Sequence, residues 1–171
     1  QGFPDNERWE IISGEAFCMS PAPTPNHQTI LLEFCRQMAD FFEGKKCRLL
    51  LSPVDVKLSE SDIVQPDLLV VCDKKKIRET HIDGAPDLAV EILSLSSASH
   101  DRLKKMLLYA KSGIKEYWIV SQEPQLVEIF LLDGDTYRRK YVHDATGKLK
   151  SPTFKGLEIN LGKVFEKLQK A

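Results

Sequence analysis

The sequence carries two uninterrupted apolar runs, QPDLLVVC at residues 65–72 and APDLAVEIL at residues 85–93, and they determine the class of fold. Runs of this kind, without polar alternation, are typical of strands that are buried on both faces of a sheet. The two runs therefore predict central strands, with the rest of the chain packed around them.

Helical periodicity predicts a helix on either side of these strands along the chain. Thr24 and Pro25 suit a helix start, and apolar residues then recur at helical spacing until Gly44. A second helix is expected from Asp101 to Lys111. Together with a hairpin at residues 13–14 and strands at 47–58, 116–121, 127–132, 136–142 and 157–161, this order predicts one α/β domain with a mixed sheet over residues 3–171.

The charge balance excludes a generally basic nucleic-acid coat protein. Lys and Arg total 24 and Asp and Glu total 25, so the formal net charge is -1. Any contact with nucleic acid must come from local basic clusters, of which residues 74–78 and 102–105 flank the expected central strands. The sequence has no apolar run long enough to span a membrane. We expect a cytoplasmic protein whose four cysteines are reduced thiols, with Cys35, Cys47 and Cys72 in apolar runs.

Glu91 is the most informative residue, because it lies inside one of the apolar runs. A carboxylate in a buried strand is costly unless it is paired, hydrogen-bonded or bound to a metal. Asp87 and Glu91 lie about 13 Å apart along an extended strand, too far to share one ion. Asp67 on a neighbouring strand, about 4.8 Å away, can share an ion with Glu91.

A set of motifs in order along residues 9–168 resembles the Uma-two family of restriction-endonuclease-like proteins, within the PD-(D/E)XK nuclease superfamily. The motifs are Trp9-Glu10-Ile11, Gly14-Glu15, Ser20-Pro21-Ala22-Pro23 with His27, Pro53-Val54-Asp55-Val56, Gln65-Pro66-Asp67, Ala85-Pro86-Asp87, Glu91-Ile92-Leu93-Ser94, Asp101, Lys105, Tyr109-Ala110 and Glu116-Tyr117-Trp118. The resemblance implies a restriction-endonuclease-like α/β fold, with an αβββαβ core plus N-terminal and C-terminal hairpins.

The resemblance also implies a metal site and a catalytic lysine. Asp67, Glu91 and the carbonyl of Ile92 would bind Mg²⁺, with Mn²⁺ as a substitute. The sequence departs from the superfamily pattern because Leu93 stands where the strand lysine is expected. The family uses the following helix, which assigns the role to Lys105, and Lys104 and Lys57 remain alternatives.

The helical wheel leaves the role of Lys105 open. Residues 103, 106, 107 and 110 form one apolar stripe, and Lys105 points nearly opposite to it. Lys105 could therefore be a surface lysine paired with Asp101, four residues earlier. Against this, Leu108 and Tyr109 make the second face partly apolar, as expected for a helix covered on both sides.

Three further residues are supporting candidates: Asp101, which is named above, and the two described next. His27 lies on the apolar stripe of the first helix, where it either packs in the core or lines the active-site cleft. Asp55 lies on a strand face opposite Val54 and Val56 and is either exposed to solvent or an additional metal ligand.

Taken together, the sequence predicts a Mg²⁺-dependent endonuclease acting on DNA. The alternative is a catalytically degenerate module that binds nucleic acid or protein on a nuclease fold, because the strand lysine is missing. One active site makes one nick, so cleavage of both DNA strands favours a homodimer.

Overall fold

The computed structural model describes residues 8–19, 22–93 and 100–169, apart from the side chains of residues 100 and 101. Its centre is a six-stranded mixed sheet, in which the two apolar runs form neighbouring antiparallel strands. In spatial order the strands of this sheet are β11 (Thr136–Asp144), β10 (Leu126–Asp133), β9 (Glu116–Ser121), β8 (Leu88–Ile92), β6 (Leu68–Val71) and β3 (Arg48–Leu51).

A second, five-stranded sheet contains the N-terminal hairpin. In spatial order its strands are β2 (Glu15–Cys18), β1 (Trp9–Ile12), β5 (Asp62–Val64), β4 (Asp55–Ser59) and β7 (His81–Asp83). The prediction of one extended strand over 47–58 is wrong, because the chain changes sheets near Pro53, which has no N–H for a ladder. Between the two apolar runs, the chain forms a 3₁₀ turn (Lys74–Lys76) and then β7. Two short strands, β12 (Lys148–Lys150) and β13 (Glu158–Asn160), pair near the C-terminus.

The helices are α1 (Pro25–Phe42), α2 (His100–Ser112) and α3 (Leu161–Phe165). The Oγ1 atom of Thr24 caps α1 by accepting a hydrogen bond from the backbone N–H of His27 at 3.2 Å. None of the helices within residues 8–19, 22–93 and 100–169 combines the length and apolarity needed to cross a membrane.

The central strands are buried on both faces, as the apolar runs predict. Leu68 and Val90 face α1, whereas Leu69 and Ala89 pack in a second core cluster with α2 and the five-stranded sheet. Read along the chain, α1, β3, β6, β8, α2 and β9 form the expected αβββαβ core. The fold is therefore α/β and restriction-endonuclease-like.

The predicted apolar stripe of α2 is wrong. Leu103 and Leu107 are 59% and 61% exposed, whereas Lys105 and Tyr109 are buried. The helix turns this polar face inward because the side chains of Lys105 and Tyr109 have a buried acidic partner in the central sheet.

The expectation that all four cysteines are free thiols is also wrong. Cys47 and Cys72 form a disulfide with an S–S distance of 2.04 Å, and Cys18 and Cys35 are free. The pairing of β3 with β6 aligns Arg48 with Val71, which brings the next residues, Cys47 and Cys72, opposite each other. A separation of 25 residues in sequence gives no sign of this register.

Candidate active site

Asp67 lies at the start of β6 and links three parts of the core. Its Oδ2 atom accepts a hydrogen bond from the backbone N–H of Ile92 at 2.8 Å and lies 3.2 Å from Nε2 of His27. The first contact ties Asp67 to the end of β8, and the second ties it to α1. Because both contacts use Oδ2, they fix the orientation of the carboxylate beside the strand that carries Glu91.

Glu91 lies in the middle of β8, on the sheet face that α2 covers. Its Oε1 atom accepts hydrogen bonds from Nζ of Lys105 at 3.2 Å and from the hydroxyl of Tyr109 at 2.6 Å. Burial raises the pKa of Glu91 to about 8; the Lys105 ammonium opposes this increase, and the carboxylates of Asp67 and Glu10 add to it. The hydrogen bond from the backbone N–H of Ile92 places the Asp67 carboxylate beside the residue that follows Glu91.

Lys105 projects from α2 into the acidic centre. It is 6% exposed, and its Nζ atom lies 2.9 Å from Oε1 of Glu10 and 3.2 Å from Oε1 of Glu91. A buried ammonium is stable only where it is paired in this way. The interpretation of Lys105 as a surface lysine is therefore wrong, and its catalytic role stays a prediction. The alternative Lys104 instead places its Nζ atom 4.6 Å from the ring centroid of Phe17.

Glu10 is a residue of the site that the sequence analysis did not identify. It is 3% exposed, and its Oε1 atom accepts hydrogen bonds from Lys105 and, at 2.8 Å, from the backbone N–H of Gln65. The signal was available: along β1, Glu10 shares a face with Ile12, which is buried. A carboxylate on the apolar face of a strand is costly unless it is paired or hydrogen-bonded, which is the argument that identified Glu91.

Tyr109 is the second residue that was missed as part of the site. Burial, followed by the nearby carboxylates of Glu91 and Glu10, raises the pKa of Tyr109 well above its ordinary value. The hydroxyl therefore keeps its proton and donates to Oε1 of Glu91. It lies one turn after Lys105 on α2, so a single helical face supplies both donors to Glu91.

His27 lies in the first turn of α1 and contacts the site from the other side of the sheet. It is 6% exposed, and its Nε2 atom contacts Asp67. Within the part of the chain that the structure describes, its Nδ1 atom is buried and has no hydrogen-bond partner. His27 therefore packs in the core and also contacts Asp67, whereas its role in lining an active-site cleft stays a prediction.

Asp55 does not join this cluster directly. Asp55 is exposed, and its Oδ1 atom accepts a hydrogen bond from Nε2 of Gln65 at 2.8 Å. Gln65 in turn contacts Glu10 through its backbone, so Asp55 is connected to the site only through neighbours. The side chain of Asp101 lies outside the described residues.

The donor set at this centre suits a hard divalent cation. In the described ranges, no group of three or more His, Cys, Asp or Glu side chains is placed to hold a metal ion. Mg²⁺, however, commonly uses one or two carboxylates and completes its shell with waters or phosphate oxygens. Asp67 and Glu91 provide two carboxyl groups, and a bound cation would favour the charged form of both. The residues present therefore fit Mg²⁺ better than a softer metal that needs Cys or His ligands.

Comparison with known proteins connects this geometry to a family. The sequence model of the Uma2 family, described as "Putative restriction endonuclease", matches residues 2–162. Two proteins from Synechocystis are similar: uncharacterized protein slr1290 is 26% identical over 131 residues, covering 75% of this chain and 68% of that protein. Uncharacterized protein sll1609 is 25% identical over 133 residues, covering 75% of each chain.

A solved structure shares the fold. It is described as "a putative nuclease belonging to DUF820" from Anabaena variabilis and matches with a TM-score of 0.77 at 22% sequence identity. The match covers 92% of this chain and 89% of the other. Such coverage extends the likeness beyond the central sheet to nearly the whole fold.

Proposed function

Because the chain belongs to the Uma2 family of restriction-endonuclease-like proteins, we propose that it is a Mg²⁺-dependent endonuclease that hydrolyses phosphodiester bonds in DNA. The observation that carries this proposal is the contact between Lys105 and Glu91. Beside it, the Asp67 carboxylate accepts a hydrogen bond from the backbone N–H of Ile92, the residue that follows Glu91 in β8. An acidic pair and a lysine thus converge from β6, β8 and α2.

Asp67, Glu91 and the carbonyl of Ile92 would hold the Mg²⁺, and Mn²⁺ would substitute because it prefers the same oxygen donors. When bound, the ion supplies a Lewis acid for the phosphate and lowers the pKa of a coordinated water.

Lys105 places a positive charge where a phosphate gains negative charge during hydrolysis. Its ammonium is held by Glu10 and Glu91 at 2.9 and 3.2 Å, so it is in place before the substrate arrives. A preorganised charge in a site with little water stabilises a transition state more than a mobile surface lysine would.

Tyr109 and His27 act as positioning residues for the two acids. The Tyr109 hydroxyl donates to Glu91, and Nε2 of His27 contacts Asp67, so each carboxylate keeps one oxygen engaged and fixed in direction. Such support from neighbouring groups keeps ligands in the geometry that a cation requires.

The alternative function, a degenerate binding module, depends on the absence of a lysine two residues after Glu91. The position of Lys105 weakens that argument, because a lysine from α2 reaches the same carboxylate. We therefore favour an active enzyme. A symmetric homodimer, with one active site for each DNA strand, is part of the proposal, and size-exclusion chromatography with light scattering tests it.

The decisive experiment is cleavage of plasmid DNA by the purified protein with Mg²⁺, with Mn²⁺ and with EDTA. We expect cleavage with either metal, none with EDTA, and none by Glu91→Gln. A melting curve of this variant checks that it is folded. Equal cleavage by the wild-type and Glu91→Gln proteins would contradict the assigned site. A folded wild-type protein that neither cleaves DNA nor binds Mg²⁺ or Mn²⁺ would favour the binding module.

A further inference from the structure

Outside the acidic centre, one buried carboxylate binds two arginines. Glu128 in β10 is 5% exposed. Its Oε2 atom accepts a hydrogen bond from Nη2 of Arg102 in α2, and its Oε1 atom accepts one from Nη1 of Arg139 in β11 at 3.0 Å. One carboxylate neutralises only one guanidinium, so the cluster has a surplus positive charge.

Both arginines remain open to solvent while Glu128 holds them. The side chain of Arg102 is 32% exposed and that of Arg139 is 60% exposed. Each guanidinium has five N–H donors, so a contact with one carboxylate oxygen leaves donors for another anion. Because Glu128 already restricts both side chains, binding an anion there costs less conformational entropy.

The sheet register places this cluster beside the acidic centre. Glu91 in β8 pairs with Ile119 in β9, and Ile119 pairs with Glu128 in β10. Residues paired in this way project from the same sheet face, so Glu128 lies two strands, or about 10 Å, from Glu91. Along α2, Arg102 precedes Lys105 by three residues, a rise of about 4.5 Å. The same helix therefore extends from the acidic centre to the arginine cluster.

We propose that Arg102 and Arg139 are a phosphate-contact pair that binds the backbone of the nucleic-acid substrate beside the reacting phosphate. This inference rests on the proposed function. Guanidinium groups match phosphate oxygens in planar, two-pronged hydrogen bonds. The separation of about 10 Å between Glu91 and Glu128 is well under one turn of B-DNA, about 34 Å, so a single duplex can contact both sites.

A control arginine lies next to Arg139 in the same strand. Arg138 pairs with Asp133 at the exposed end of the hairpin. Because successive side chains of a strand point to opposite faces, Arg138 lies on the face away from α2. It matches Arg139 in charge and size but not in position.

The test measures the salt dependence of binding to a DNA duplex by fluorescence anisotropy. All proteins carry Glu91→Gln and are kept in EDTA, so that no strand is cut. Each phosphate contact contributes about 0.9 to the slope of log K against log salt, which is about 3.5-fold in affinity between 50 and 200 mM salt. The loss of affinity between 50 and 200 mM salt should therefore be about twelve-fold smaller for Arg102→Gln/Arg139→Gln than for its parent. Arg139→Gln alone should lose about 3.5-fold less, and Arg138→Gln should match the parent.

Slopes that are equal in the parent and both arginine variants would overturn the inference, because the arginines would then only attach α2 to β11. So would an equal effect of Arg138→Gln, which would indicate diffuse charge. Melting curves show whether the double variant folds. If the double variant does not fold, the single variant Arg139→Gln still tests the inference, because Arg139 is the more exposed of the two arginines. Equal slopes beside normal cleavage by the wild-type protein reject this inference alone. Absence of both binding and cleavage rejects the proposed function as well.

Discussion

The Nζ atom of Lys105 lies 3.2 Å from Oε1 of Glu91, although the lysine belongs to a helix and the acid to a central strand. Leu93 occupies the position where the superfamily pattern places a strand lysine. A lysine from α2 therefore reaches Glu91 from outside the sheet. This relationship makes the helix part of the site and gives the first prediction.

Replacing Lys105 should abolish most of the activity, whereas replacing the neighbouring Lys104 should leave the activity unchanged. We expect Lys105→Ala to reduce the rate of DNA cleavage by about 10²- to 10³-fold, because a preorganised charge at the phosphate is lost. Lys104→Ala is the matched control, because Lys104 contacts the ring of Phe17 instead. Cleavage rates with excess Mg²⁺, measured beside melting curves, check this prediction. Similar losses in both variants would contradict it.

Glu10 should behave as a positioning residue for Lys105. Glu10 is buried, and its carboxylate lies 2.9 Å from Nζ of Lys105. Glu10→Gln keeps the size of the side chain but removes the negative charge that pairs with the Lys105 ammonium. We expect kcat to fall about 10- to 100-fold with little change in KM, which is typical when a supporting group of an active site is lost. Glu15→Gln, on the exposed strand of the same hairpin, is the control. A change in KM alone would show that Glu10 acts on substrate binding instead.

The acidic pair could be predicted from sequence because a carboxylate in a doubly buried strand has few alternatives. Glu91 stood out for that reason, and strand spacing then selected Asp67 over Asp87. The same rule applies to Glu10. However, β1 has only four residues, so its apolar pattern is short and predicts a buried strand less strongly.

The orientation of α2 could not be predicted from its apolar stripe. A hydrophobic stripe locates the buried face only when that face meets an apolar surface. Here the helix covers Glu91, so the energy of pairing Lys105 and Tyr109 with the acid outweighs the exposure of Leu103 and Leu107. The second sheet was missed for a related reason: the parallel pairing of β4 with β7 joins distant segments, and local periodicity carries no information about such contacts.

The disulfide should stabilise the fold measurably. Cys47 and Cys72 close a loop between sequence positions 25 apart, and a loop of this size is expected to contribute about 3.5 kcal/mol by restricting the unfolded chain. We expect dithiothreitol to lower the urea midpoint of the wild-type protein. The variant Cys47→Ser/Cys72→Ser should show the lower midpoint with or without reductant, and Cys18→Ser should behave as the wild type. A midpoint of the wild type that does not respond to reductant would contradict this prediction.

Asp87 should make the stability of the fold depend on acidic pH. Burial raises the pKa of Asp87, but hydrogen bonds from Nζ of Lys115 and from the backbone N–H of Cys72, both at 2.8 Å, outweigh burial, and the pKa is lowered overall. A carboxyl with a lowered pKa in the folded state binds its proton less readily there than in the unfolded chain. Its contribution to stability is therefore complete above the unfolded pKa of about 3.9 and is lost as the pH falls through the folded pKa.

We accordingly expect Asp87→Asn to lower the free energy of unfolding at pH 7 by about 1.5 to 3 kcal/mol, the usual range for hydrogen bonds to a charged group. The difference from the wild type should shrink steadily below about pH 4. Urea unfolding at pH 7, 5, 4 and 3 measures it, with Asp135→Asn in the exposed turn between β10 and β11 as the control. A difference that stays constant from pH 7 to pH 3 would show that Asp87 stabilises the start of β8 by packing, without its charge.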